Sequence, residues 1–67
     1  MTFGEKLKSL RKERGLTAKQ LAKKSGLTAV SISNYENGHR KPNLVGISKL
    51  ASALECDFDE LYELAKD

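Results

Sequence analysis

The residues best placed to do chemistry in this 67-residue chain lie between Ala29 and Asn37. Wound as a helix at about 100° per residue with Ala29 at zero, Thr28, Ile32 and Tyr35 fall near 260°, 300° and 240°. On the same winding Ala29, Ser33, Asn37, Val30 and Asn34 fall between about 0° and 140°. The first stripe is large and apolar and suits a core. The second is small and uncharged, with no long side chain to hold a partner away. A merely solvated face more often carries Lys and Glu, so this one reads as a contact surface. Asn34 brings an amide that donates and accepts at once. Ala29 and Val30 offer only apolar contact. No nucleophile–base pair, metal-ligand set or phosphate-cradling glycine loop accompanies them, so the chemistry is recognition and an enzyme is not expected. No cofactor is expected either.

The elements that must position this face run from Thr17 to Gly38, TAKQLAKKSGLTAVSISNYENG. Thr17 with Gln20 is a capping box, and Leu16 with Leu21 a hydrophobic staple. Thr28 caps the second helix, with Leu27 and Ile32 as its staple. Between the helices, Gly26 supplies the positive φ on which a helix usually stops. Two helices joined by a short glycine turn form the helix-turn-helix plan, whose second helix can enter a DNA major groove. In that setting the Asn34 amide matches the two-functional edge of adenine, and Ala29 and Val30 suit thymine methyl groups.

The rest of the chain reads as helix throughout. Thr2 to Arg14 forms a first helix with a Thr2–Glu5 capping box, an inward Phe3, Leu7 and Leu10, and Gly15 just past its end. Arg11 sits at the margin of that apolar stripe. Asn37-Gly38 and the basic loop His39-Arg40-Lys41-Pro42 close the helix-turn-helix. Asn43 caps a fourth helix to about Leu54, with Leu44, Ile47, Leu50, Ala51 and Leu54 inward. Gly46, in its first turn, suggests close approach of another backbone. Asp57 with Glu60, and Cys56 with Leu61, mark a fifth helix over about 57–66. The expectation is an all-α, compact five-helix bundle and a single domain over 1–67.

Residues 1–50 hold eleven Lys and Arg against three acids, net +8, and residues 51–67 hold one Lys against six acids, net −5. A basic body with an acidic end points to a polyanion partner on one side. One cysteine, Cys56, excludes an internal disulfide and a cysteine-based zinc site, and the single His39 makes no metal site alone. Cys56 is expected in the core. No run is apolar and long enough to span a membrane, and no signal-peptide pattern occurs, so a cytoplasmic location is expected.

From Leu7 to Leu64 the chain resembles the Cro/repressor class of helix-turn-helix regulators (Cro/C1-type, also called xenobiotic-response-element-like). The Leu21-Ala22 pair, Gly26, Ile32, Glu36-Asn37-Gly38 and the following Lys-Pro loop all fall at the family's spacing. The resemblance implies a lambda-repressor-like DNA-binding domain. It places Ala29, Val30 and Asn34 against base edges with Ser33 beside them. It puts Thr17, Thr28, Asn37, Arg40 and Lys41 on phosphates, and Arg11 with Glu36 in an ion pair tying the first helix to the end of the third. Two positions depart from the pattern. Ala18 stands where the family usually carries a DNA-bonding Gln, so a contact is lost at this backbone-binding position. Glu55 stands where it usually carries Gly, so a left-handed residue there costs about 1 kcal/mol or the turn differs.

One such module buries only about 600–1,000 Å² on DNA, and a twofold pair places two recognition helices one turn, about 34 Å, apart. A homodimer through the fifth helix, by way of Phe58, Leu61 and Tyr62, is therefore expected. The leading function is a sequence-specific regulator of double-stranded DNA, a repressor on a palindromic operator, of phage, mobile-element or restriction-system type. The alternative is a helix-turn-helix antitoxin or bridging protein whose main partner is another protein.

Overall fold

The computed structural model describes residues 1–66; Asp67 lies outside them. Five helices follow in order: α1 (Phe3–Glu13), α2 (Ala18–Ser25), α3 (Ala29–Glu36), α4 (Leu44–Leu54) and α5 (Phe58–Ala65). Among the described residues no strand occurs. Among these residues no helix is long and apolar enough to cross a membrane.

Helix starts follow from local side chains. Thr2 accepts from the Glu5 N–H at 3.2 Å while its own N–H donates to Glu5 Oε1 at 2.9 Å. The same reciprocal pair joins Thr17 and Gln20, at 3.1 and 2.8 Å. That bond from the Thr2 N–H holds the Glu5 carboxyl below its usual range. Its contribution is therefore present above the ordinary carboxylate pKa and lost on acidification. Asn43 caps α4 through the Gly46 N–H at 2.8 Å. Asp57 precedes α5 in extended conformation but makes no side-chain cap bond, so the expected box with Glu60 does not form. Instead Glu60 lies 3.6 Å from Lys6 Nζ on α1, a cross-helix attraction that competes for the carboxylate.

Helix ends use left-handed residues. Gly26 takes φ +77° between α2 and α3, which it adopts at no steric cost. Glu55 takes φ +54° at the end of α4. The turn therefore keeps the left-handed geometry without glycine, at roughly 1 kcal/mol. Arg14 offsets part of this cost: its Nη2 donates to the Glu55 carbonyl at 3.1 Å. Arg14 and Lys24 each approach the Glu55 carboxylate at 3.8 Å.

The core gathers Phe3 and Leu7 of α1, Leu21 and Ala22 of α2, Ile32 and Tyr35 of α3, Ile47, Leu50, Ala51, Ala53 and Leu54 of α4, and Leu61 and Ala65 of α5. Two expectations on this face are corrected. Leu44 is 60 % exposed, and so is its neighbour Val45 at 61 %. With Leu44 at zero, the buried positions of α4 centre near 250°, roughly 100° away from it. The corner beside it is filled by buried Pro42 and Gly46. Leu61 is fully buried, so it supports α5 from within and lines no outer surface. Cys56 is half-buried against the core. Burial, followed by the nearby Glu60 charge, pushes its thiol pKa up and keeps it protonated.

Two glycines set how closely elements approach. A Cβ on Gly46 would lie 2.9 Å from Pro42 Cβ, so the loop before α4 folds directly over that helix's first turn. Gly4 is tighter: a Cβ there would press on the Glu36 carbonyl and lie 2.7 Å from the Tyr35 carbonyl. Both are backbone atoms at the end of α3. α1 therefore lies against α3 at a distance only glycine permits. Gly4→Ala is expected to destabilise the fold by about 2–3 kcal/mol, as overpacking does. In thermal unfolding followed by circular dichroism this lowers the midpoint by roughly 10–20 °C. An unchanged midpoint would show that the α1–α3 seam is loose.

Candidate nucleic-acid interface

α3 is eight residues long, too short to hold its shape or direction alone. Ile32 and Tyr35, 0 % and 7 % exposed, fix its inner side. Its outer side then presents Ala29, Val30, Ser33 and Asn37, all exposed, with Asn34 half-buried at the edge. Val30 is 70 % exposed. The layout read from the winding of the helix holds for Ile32 and Tyr35 and for the outer face, but Thr28, expected in the inner stripe, is exposed because as the N-cap it leaves the helical winding.

Two sets of bonds hold this helix in place. Arg11 of α1 makes a two-pronged bond to Glu36, Nε to Oε2 at 2.6 Å and Nη2 to Oε1 at 3.1 Å. Its Nη1 donates to the Leu16 carbonyl at 2.8 Å. One guanidinium thus ties α1, the α1–α2 turn and the end of α3. The side chains are only 13 % and 8 % exposed. The Glu36 hydrogen bond drives the Arg11 pKa further upward, so the guanidinium stays charged. The Leu16 carbonyl and the Gly4 approach are absent from the sequence reading. Gly4 carried one signal: glycine in the first turn of a helix is a poor helix former.

At this same end of α3, the Asn34 carbonyl accepts from the N–H groups of His39 and Arg40, at 2.9 and 3.3 Å. The loop carrying Arg40 and Lys41 is thereby folded back over the end of α3, and both residues are exposed. Asn37 Nδ2 donates to Ser33 Oγ at 3.3 Å, which fixes the amide one turn above that hydroxyl. The starts of the two central helices differ in what they offer. Thr28 Oγ accepts from the Ser31 N–H at 3.0 Å and donates to Ser31 Oγ at 3.0 Å. Thr17 Oγ only accepts, from Gln20, leaving its hydrogen for an outside acceptor. The N–H groups of Ala18 and Lys19, and of Ala29 and Val30, fall in first turns where no intrahelical acceptor exists. Ala18 packs its methyl against the core, so this residue can reach a partner only through its backbone N–H.

On the far side of the bundle, α5 packs chiefly on α4 and α1. Phe58 is 37 % exposed and its ring stacks on Tyr62 at 5.6 Å between centroids. Of the three residues expected at a dimer surface, Phe58 and Tyr62 lie together at the outside and Leu61 does not.

A capped helix, a left-handed glycine turn and a second helix with a small polar outer face, locked to a preceding basic helix, define a helix-turn-helix module. The helix-turn-helix family model matches residues 7–61, and the chain belongs to that family. It is 49 % identical over 61 residues to the HTH-type transcriptional repressor RghR of Bacillus subtilis, a match covering 90 % of this chain and 45 % of that protein. The chain spans less than half the length of the first curated relatives it matches. Among solved structures it is similar to the restriction-modification controller protein C.AhdI from Aeromonas hydrophila. The TM-score is 0.85 and the identity 42 %, with 88 % of this chain and 89 % of that chain covered. It is similar also to the P22 c2 repressor, solved in complex with a synthetic operator, with a TM-score of 0.86, 31 % identity, and 91 % and 92 % covered. These neighbours bear out the all-α, repressor-like fold.

The clasp generates a measurable expectation. Arg11→Met and Glu36→Gln should each lower stability by about 3 kcal/mol, since each strands a partly buried charge. The double variant should lose clearly less than the sum, because the second change removes the stranded group. Urea unfolding of the four proteins measures this; strictly additive losses would show that the two side chains do not act together.

Proposed function

We propose that the chain is the sequence-specific double-stranded DNA-binding unit of a transcriptional repressor, with α3 seated in the major groove. The observation that carries this reading is the rigidly held outer face of α3: small, uncharged, and flanked by basic residues. Ala29, Val30, Ser33 and Asn34 read base edges, with the Asn34 amide suited to adenine. Thr17, the Ala18 N–H and Thr28 meet phosphate at the helix starts. Asn37, Arg40 and Lys41 meet it past the end of α3. The P22 c2 repressor, similar over nine-tenths of this chain, was solved on an operator, which supports the same placement here. A cytoplasmic location follows from this reading.

Selection of duplexes from a random pool, followed by binding measurements, tests the assignment. Asn34→Ala should weaken binding to the selected duplex by about 1–3 kcal/mol and relax one base position. Arg40→Ala and Lys41→Ala should weaken binding to all duplexes alike, each reducing the salt slope by about one. Uniform loss for Asn34→Ala, or an unchanged slope for the basic residues, would remove those roles.

The reading includes a homodimer on a palindromic operator, joined through the end of the molecule that carries Phe58 and Tyr62. Sedimentation at equilibrium should show a dimer that Phe58→Glu weakens at least about tenfold, as the burial of one aromatic side chain requires. Retention of the dimer in Phe58→Glu and its loss in Val45→Glu would move the contact to α4. The exposed Leu44 and Val45 favour a second reading, a contact with a different protein. A tight stoichiometric protein complex that excludes DNA would support that reading instead.

A further inference from the structure

We infer that Val30 is a detector of the methyl group at C5 of a pyrimidine, so that the chain responds to 5-methylcytosine as it does to thymine. The inference rests on the proposed seating of α3 in the major groove. Val30 is the second residue of α3, in the turn that lies deepest in a groove entered by the N-terminal end of a recognition helix. It is 70 % exposed and sits mid-arc on the outer face, between Ala29 below and Ser33 and Asn34 one turn above. The hydroxyls around it bond within the helix, while the Asn34 amide beside it faces a base of its own. Thr28 and Ser31 close on each other at 3.0 Å, and Ser33 Oγ accepts from Asn37. What Val30 itself offers a base is a branched apolar surface, 70 % exposed.

A major groove displays one apolar group on its base edges, the C5 methyl of thymine. Cytosine carries a hydrogen at that carbon. Methylation there installs the same group at the same place on the pyrimidine edge, while the amino group of cytosine still differs from the oxygen of thymine. An apolar side chain that makes no hydrogen bond distinguishes methyl from hydrogen. It is indifferent to which pyrimidine carries the methyl.

The test is equilibrium binding of the 67-residue chain to a selected duplex in which each thymine is replaced in turn by deoxyuridine. Loss of one buried methyl should weaken binding about fourfold at one or two positions per half-site. At those positions a cytosine should bind more weakly than thymine, and 5-methylcytosine should recover about fourfold over unmethylated cytosine. In Val30→Ala both methyl effects should vanish while the Asn34-dependent position is still read. Because Val30 is exposed, the variant should keep the parent's thermal midpoint, which is measured alongside. A flat deoxyuridine scan on a selectively bound duplex, or full methyl sensitivity in Val30→Ala, overturns the inference and leaves the DNA-binding reading standing. Failure to discriminate any selected duplex from random DNA overturns both.

Discussion

The direction of α3 depends on the seam it shares with α1. Gly4 lets the two helices meet backbone to side-chain-free backbone, and Arg11 bolts the far end of α1 to Glu36 and to the Leu16 carbonyl. Neither device suffices alone. A close approach without the bond leaves α3 able to slide, and a single ion pair across a wide gap is worth little in water. Together they hold an eight-residue helix that has little stability of its own. A substitution on this seam therefore disturbs the direction of α3 and the stability of the fold at once, although none of its residues faces outward.

The turn after α4 shows the opposite solution. There the backbone takes a left-handed residue that is not glycine, and the cost is offset by neighbours rather than avoided by composition. Arg14 reaches the Glu55 carbonyl from the end of α1, and Lys24 approaches from the end of α2. Three elements converge on one strained residue. Glu55 thus works as a fastening point between the basic body and the acidic last helix.

Much of this was legible in the residues, because it is local. Caps at Thr2, Thr17, Thr28 and Asn43 bond within three residues of themselves, so type and spacing suffice. The two faces of α3 follow from helical winding, and the neighbouring HTH structures share the architecture. What escaped depends on partners distant in sequence. Leu44 is the local exception: it sits at the edge of the α4 stripe, 60 % exposed, beside a corner filled by Pro42 and Gly46. Leu61 looks like a surface residue of an amphipathic helix until α1 and α4 close over it. Asp57 matches a capping pattern, yet Glu60 is drawn to Lys6 on another helix. Gly4 carries no chemistry at all, and its meaning is the space it leaves for the end of α3. The contact roles along α3 rest on chemistry and family likeness, since a bare surface does not name its ligand.

The placement of α5 has an electrical consequence. Net charge is +8 over residues 1–50 and −5 over 51–67, and α5 packs chiefly on α4 and α1 rather than on α3. The acidic helix therefore lies away from α3, and the charge of the chain is unevenly spread. In the field of a polyanion the molecule experiences a torque before any contact forms. Encounters are biased toward arrival with the acidic helix trailing, an advantage that fades once dissolved salt shortens the range of the field to about 8–10 Å.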